Sequence, residues 1–194
     1  SGISLNIVEV HEFFRKIFQK KGCFHVPSWL VGEIEIPDDI SAFIRQQKNL
    51  RYNVQKAARH QFYPEVTAET SRIQRFYYDM HIPYITKTHN NKAVVVDFNT
   101  LKSKVRKCDL MLIKKDGEDI AGGLVAYNHN KASCVILGVK DGNLDYVRNG
   151  ALYALYYHTF NHLRSKGYRS VNMGTSRAFL KDGSLSYKKM WNFR

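Results

Sequence analysis

Apolar positions change their spacing along the chain, and the clearest change lies between residues 135 and 166. Residues 135–139 form a short apolar run typical of a buried strand, and Asp141-Gly142 follows with turn chemistry. Apolar side chains at three- and four-residue spacings then predict a helix over about 147–166. Lys166-Gly167 ends this helix with a basic last turn and a glycine. The pattern therefore predicts strand, turn and helix in that order.

The same unit continues beyond the helix. Residues 168–173 form the next predicted strand, and 174–177 open a predicted polar loop. A strand, a helix and a second strand predict a βαβ unit, whose crossover is almost always right-handed. The crevice beside such a loop and helix N-terminus is where these sheets place anionic ligands.

The remaining pattern predicts helices on both sides of an antiparallel meander. Pro83 ends one predicted helix, and Asp116-Gly117 marks a hairpin turn. The helices are predicted over 3–20, from Pro37 past Ile44, over 51–60, 69–80 and 99–107. The strands are predicted within 23–36, 63–67, 94–96, 110–114, 119–127, 132–139 and 185–193.

The composition predicts one domain with an excess of positive charge. An apolar fraction of 44% supplies a core, which excludes global disorder, and Pro37 marks the one plausible boundary. We expect an N-terminal extension over 1–36 and a main domain over 37–194. The 30 Lys and Arg residues exceed the 17 Asp and Glu residues, giving a net charge of +13. This excess favours a nucleic acid, a phosphorylated cofactor, an acidic substrate or a membrane surface, and a solvated basic surface explains it equally well.

Cysteine and histidine usage indicates no metal and no disulfide framework. Cys23, Cys108 and Cys134 are far apart and form no CxxC pair, which is typical of core thiols in a reducing compartment. We therefore expect a cytoplasmic protein. His158 and His162 lie one helical turn apart, but the sequence offers no third ligand. The longest uncharged run is too short for a bilayer, so we do not expect an integral membrane protein.

The order of elements resembles that of the GNAT acyltransferases, and the likeness is closer to their Fem-type and BioF2-like branch. It covers about residues 50–194. It rests on residues 51–57, on 76–80 with Pro83-Tyr84, on 119–124, and on 174–177 followed by 182–185 and 187–191. The resemblance implies an α+β fold in which a central mixed, mostly antiparallel sheet carries helices on both faces.

The resemblance also implies an activity: transfer of an acyl or aminoacyl group to an amine on a small molecule or a peptide. The donor would be acyl-CoA or an aminoacyl-tRNA, so tRNA is a possible partner. GNAT proteins hold the donor's pantetheine arm between two splayed parallel strands, here 132–139 and 168–173, and its phosphates at the next helix N-terminus. The loop at 148–151 matches the phosphate-binding pattern in part. The implied binding residues are Val139, Arg148, Asn149, Gly150, Ala151, Gly174 and Arg177.

Three residues of the C-terminal segment are candidates for catalysis. Tyr187 would donate a proton or a hydrogen bond to the leaving group, and a core tyrosine is the competing interpretation. Lys188 or Lys189 would bind donor phosphate or stabilise developing negative charge. Because neighbouring residues of a strand face opposite sides, at most one of these lysines should enter the site.

Two further positions complete the candidate chemistry. Ser176 with Arg177 would hold a carbonyl or carboxylate group, although an ordinary polar loop explains them too. Asp141 or Asp145 would take the proton from the attacking amine, although Asp141-Gly142 is also a sufficient turn signal. The alternative function is a non-catalytic GNAT-like module that binds nucleic acid or protein, because the net charge is +13 and the phosphate loop is incomplete.

Overall fold

The computed structural model describes residues 8–18, 23–89, 95–104, 107–178 and 183–192. Its strands form one sheet in the order β1-β6-β5-β4-β3-β2, in which only β5 and β6 are parallel neighbours. The strands are β1 (Trp29–Glu35), β2 (Tyr63–Thr67), β3 (Cys108–Lys115), β4 (Glu118–Asn128), β5 (Lys131–Val139) and β6 (Ser170–Arg177). The predicted mixed, mostly antiparallel sheet is confirmed.

Helices cover both faces of this sheet. One face carries α1 (Ile40–Gln46), α2 (Lys48–Arg59), α7 (Ala151–Ser165) and α8 (Gly183–Met190). The other face carries α3 (Thr70–Phe76) and α5 (Phe98–Lys104). The remaining short helices are α4 (Ile82–His89) and α6 (Leu144–Arg148). Within the described residues, no helix combines the length and the hydropathy needed to cross a bilayer.

The predicted βαβ unit is confirmed as β5, α7 and β6. The predicted helix over 147–166 is two helices, because Gly150 has a φ of +94° and separates α6 from α7. The apolar stripe of α7 is buried as its spacing predicts: it contains Leu152, Leu155, Tyr156, Phe160 and Leu163. This stripe fills the core between α7 and the sheet.

Two predictions in the middle of the chain are wrong. The helix over 69–80 does not end at Pro83: a π-helical turn, Tyr77–His81, joins α3 directly to α4. Pro83 has no N–H group, so one helical hydrogen bond is missing where the π-helical turn continues into α4. Val95 and Val96 form no strand, and Val94 lies outside the described residues.

The last predicted strand, 185–193, is also wrong, because the chain forms helix α8 here. Leu185, Lys188 and Trp191 follow one another at three-residue spacing and are all buried, which is a helical and not a strand pattern. Phe193 lies outside the described residues. The predicted polar loop over 174–177 instead continues β6, which pairs there with β1.

The N-terminal region joins the same sheet. Of the predicted helix over 3–20, the described part contains a 3-10 turn, Glu12–Phe18. β1 is the edge strand beside β6, and Asp39 caps α1 by accepting a hydrogen bond from the amide of Ala42 at 2.8 Å. The domain boundary at Pro37 stays a prediction.

A close backbone approach at Gly138 fixes the π-helical turn on β5. A Cβ atom at Gly138 would lie 2.5 Å from the carbonyl carbon of Met80 and 2.6 Å from the nitrogen of His81. Both atoms belong to the backbone, so a side chain at this position cannot be accommodated by a rotamer change. The His81 ring also contacts this strand, with Nδ1 2.8 Å from the Leu137 carbonyl oxygen.

We therefore expect Gly138→Ala to lower the free energy of unfolding by about 2 kcal/mol or more. Gly183→Ala is the matched control, because a Cβ atom there meets no atom of a described residue within 4 Å, and we expect a change within about 0.5 kcal/mol. Urea denaturation of both variants measures the two values. Equal stability of the two variants would contradict this packing.

Candidate functional site

The parallel pair β5 and β6 separates soon after it begins. The two strands are paired only at Ala132 with Val171 and at Ser133 with Asn172. Beyond this point β5 stays paired with β4, and β6 stays paired with β1. The sheet therefore opens into a gap between 134–139 and 173–177, which we call the fork. The predicted splaying of these two strands is confirmed.

A local turn in β6 produces the fork. The side-chain oxygen of Asn172 accepts a hydrogen bond from the Gly174 amide at 2.7 Å, so this amide is not available to β5. Gly174 itself has a φ of +71°, a conformation that favours glycine. This Asx-type turn bends β6 away from its neighbour directly after the last paired residue.

Lys188 of α8 lies at the fork. Its side chain is buried, and Nζ donates hydrogen bonds to the carbonyl oxygens of Gly174 at 3.2 Å and Thr175 at 3.0 Å. The neighbouring Lys189 is exposed. Only one of the two predicted lysines therefore enters the fork, and the helical geometry of α8 selects Lys188.

The charge of Lys188 reaches the opposite strand of the fork. Burial raises the pKa of the Cys134 thiol on β5 to about 12, and the positive charge of Lys188 opposes this rise. The carbonyl oxygen of Cys134 also lies 3.8 Å from the position that a Cβ atom of Gly174 would take. Lys188 is thus positioned between the two strands that separate.

Tyr187 brings a buried phenol to the same region. Its ring packs against the rings of Tyr153 and Tyr156 on α7, with centroid distances of 4.9 and 5.0 Å. Burial raises the pKa of Tyr187 well above its ordinary value, and the Trp191 indole offsets this only in part. The phenol therefore keeps its proton at neutral pH and is suited to donate a hydrogen bond.

Several buried polar atoms around the fork have no well-formed hydrogen bond within the described part of the chain. Ser176 Oγ has no partner there, and Tyr187 Oη and Trp191 Nε1, which are close enough to interact with each other, make no hydrogen bond of ordinary geometry. Buried polar groups are bonded in the great majority of cases, and an unbonded one costs about 1–3 kcal/mol. These atoms, on β6, on α8 and just after α8, mark this region as one that a polar ligand would complete.

In the predicted phosphate loop, two backbone amides just before α7 are already engaged. The amides of Asn149 and Gly150 donate to carbonyl groups of α6 at 2.8 and 3.0 Å. Gly150 packs against α2, and Ala151 is fully buried. Arg148 pairs with Asp145 on its own helix at 2.7 Å. The first two amides are therefore engaged, and the binding role of these four residues stays a prediction.

Three other predicted residues lie at or just beyond the far ends of β5 and β6. Val139 lies about 16 Å along β5 from Cys134, at about 3.3 Å per residue. Asp141 occupies a left-handed turn after β5 and lines a cavity of about 630 Å³ with charged residues of α3 and of the β3–β4 turn. Arg177 is exposed, and its guanidinium lies 5.6 Å from the ring centroid of Trp29. Their proposed roles also stay predictions.

Comparison with known proteins adds evidence on the fold. No family model matches the sequence, and no curated relative is found. The structure is similar to that of FemX, with a TM-score of 0.64, 12% identity, and coverage of 87% of this chain and 59% of FemX. The chain has a GNAT-like fold. The predicted resemblance to Fem-type members is thereby confirmed at the level of the fold.

Two further solved structures support the GNAT-like assignment. L-PGS from Bacillus licheniformis gives a TM-score of 0.54 at 12% identity, covering 79% of this chain and 49% of that protein. The C-terminal domain of a protein assigned as a lysylphosphatidylglycerol synthetase from Agrobacterium fabrum gives a TM-score of 0.52 at 16% identity. The match covers 84% of this chain and 50% of that domain's chain. This GNAT-like chain therefore spans about half to three-fifths of the length of these three structures.

The raised pKa of Cys134 gives a testable pH dependence. Because the thiolate is the reactive form, we expect iodoacetamide to modify the exposed Cys23 at pH 8 and to leave Cys134 almost unmodified. The rate at Cys134 should still rise between pH 9 and pH 10.5, below its pKa of about 12. Peptide mass spectrometry measures both sites in one sample. A rate at Cys134 that levels off below pH 10 would contradict this environment.

Proposed function

We propose that the chain is an aminoacyltransferase that moves an aminoacyl group from an aminoacyl-tRNA to an amine acceptor. The likeness of its fold to FemX and to L-PGS supports an aminoacyltransferase in general. The carrying observation is the buried Lys188 ammonium at the fork, together with the unpartnered polar atoms beside it. We place the reacting ester at the fork.

The residues at the fork suit aminolysis of an ester. The amine nitrogen attacks the ester carbonyl carbon, negative charge develops on the carbonyl oxygen, and the C–O bond to the ribose then breaks. The positive charge of Lys188 stabilises the oxyanion. Tyr187 donates a hydrogen bond to the leaving ribose oxygen, and Ser176 Oγ orients the carbonyl. The attacking nitrogen loses one proton and the leaving ribose oxygen gains one, so the step consumes no net proton; Asp141 or Asp145 stays the predicted base.

The donor follows from the net charge and from the likeness of the fold. The net charge of +13 suits the phosphates of tRNA. The fold is similar to those of FemX and L-PGS, and in the loop before α7 the amides of Asn149 and Gly150 already donate within the chain. Aminoacyl-tRNA is therefore our preferred donor, and acyl-CoA is the donor to test beside it. The acceptor is an amine on a small molecule or a peptide.

We expect Lys188→Met to lower the rate of transfer at saturating donor by about 10²-fold or more, because the variant loses the charge that stabilises the oxyanion. Transfer is measured as amine-dependent loss of labelled amino acid from a pool of charged tRNA, with the product identified by mass spectrometry. Lys189→Met is the matched control and should keep the rate within about twofold, since Lys189 is exposed. Equal rates for both variants would contradict the assignment.

We expect Tyr187→Phe to separate a catalytic tyrosine from a structural one. Removing a hydroxyl that makes no hydrogen bond of ordinary geometry with a described residue should change the free energy of unfolding by less than about 1 kcal/mol. The same change should lower transfer by about 10²-fold, because the leaving oxygen loses its hydrogen-bond donor. Tyr153→Phe, on the ring that packs against Tyr187, is the control. A loss of stability without a specific loss of transfer would leave Tyr187 a core residue.

The alternative function, a non-catalytic module that binds nucleic acid or protein, is favoured by the net charge of +13. The transfer assay separates the two functions. A module that only binds would hold charged and uncharged tRNA equally well and release no amino acid. Its affinity for tRNA would also fall steeply with salt, because several phosphates would be neutralised.

A further inference from the structure

A second cavity lies on the face of the sheet that carries α3 and α5. Its volume is about 650 Å³, within the range of small-molecule sites. It is bounded by the start of β3, the end of β4 and the residue that follows α7. Lys188 does not line it, so this cavity is distinct from the fork.

The interior of this cavity is apolar. Ile73 of α3, Leu101 of α5 and Leu124 of β4 line it, together with Phe98. Leu101 and Leu124 also belong to the core cluster that packs α3 and α5 on the sheet. The apolar wall is therefore part of a rigid layer. A hydrocarbon segment placed here would be removed from water, which favours its binding.

The rim of the cavity is cationic. Lys102, Lys107 and Lys166 line it, and all three are exposed. Within the described ranges, Lys102 and Lys107 have no carboxylate partner, whereas Lys166 contacts Asp109 at 2.5 Å. Two lysine charges beside an apolar cavity therefore have no carboxylate partner among the described residues.

The carboxylate at the rim, Asp109, is already neutralised. Its Oδ2 atom accepts hydrogen bonds from the hydroxyl of Tyr127 at 2.7 Å and from Lys166, and it lies 2.7 Å from Nε2 of His162. Burial raises the pKa of Asp109, but these three partners outweigh burial and leave its pKa below the ordinary value. Asp109 thus stays ionised and paired, and it does not compete with an incoming anion for Lys102 and Lys107.

We propose that this cavity binds a single-chain amphiphile with an anionic head group. Its apolar body lies against Ile73, Leu101 and Leu124, and its head lies between Lys102 and Lys107. The proposal rests on the combination of an apolar interior with two unpaired cations, and it does not depend on the proposed transferase activity. The head is a carboxylate or a phosphate, which the probes below distinguish.

Isothermal titration calorimetry on the whole chain tests this proposal with probes of one chain length, each used below its critical micelle concentration. We expect decanoate or decyl phosphate to bind at least tenfold more tightly than decanol, and decyltrimethylammonium not to bind. Tighter binding of decanoate identifies a carboxylate head, and tighter binding of decyl phosphate identifies a phosphate head. Equal affinity for decanol, or no binding of either anion, would overturn the proposal.

Two variants locate the site. Lys102→Glu with Lys107→Glu should weaken binding of the anionic probe at least tenfold and leave decanol unchanged. Lys48→Glu with Lys115→Glu alters the net charge equally at positions that do not line the cavity, and it should keep the affinity within twofold.

Ala68→Trp, at an exposed residue of the rim, should block every alkyl probe without disturbing the core. Equal weakening by both lysine pairs, or full affinity in Ala68→Trp, would overturn the site.

Discussion

The hydrogen bond from the Gly174 amide to the Asn172 side chain is the local interaction on which the fork depends. It removes one amide from the ladder between β5 and β6, and the positive φ of Gly174 then bends β6 away. Without this turn, the two parallel strands would continue to pair along their length. The carbonyl groups of Gly174 and Thr175 would then be less accessible to Lys188, which binds both of them.

The fork carries a cost in stability that the rest of the core offsets. A buried ammonium loses its hydration, and each buried polar atom without a partner costs about 1–3 kcal/mol. The aromatic layer beneath the fork offsets this cost, because Tyr156, Phe160 and Trp191 are nearly fully buried there. Natural proteins keep such local conflicts mainly at functional sites, which is why the unpartnered atoms favour a role in binding or catalysis.

Local sequence signals predicted much of the fold and less of the site. β2 has the predicted bounds, and the stripe on α7 is buried as its spacing predicts. α8 was missed because a lysine occupies the central buried position of its stripe, and a charged residue there hides the helical period. The packing of Gly150 was not predictable either, since it lies against α2, which is far away in the sequence. The resemblance named Lys188, Tyr187 and Ser176 as candidates. Only the fold could show that Lys188, and not Lys189, points inward.

Both sites lie in one GNAT-like chain that spans only part of the length of its structural neighbours. The most direct test of the fork is amide NMR of the whole chain with a non-hydrolysable donor, a tRNA acceptor-stem minihelix whose 3′ end carries an amide-linked amino acid. We expect the largest shifts that depend on the amino acid at residues 174–177 and 187–189, relative to the uncharged minihelix. Shifts confined to 148–151 or to the cavity between α3 and α5, or identical shifts with the uncharged minihelix, would contradict the assignment of the fork as the reaction site.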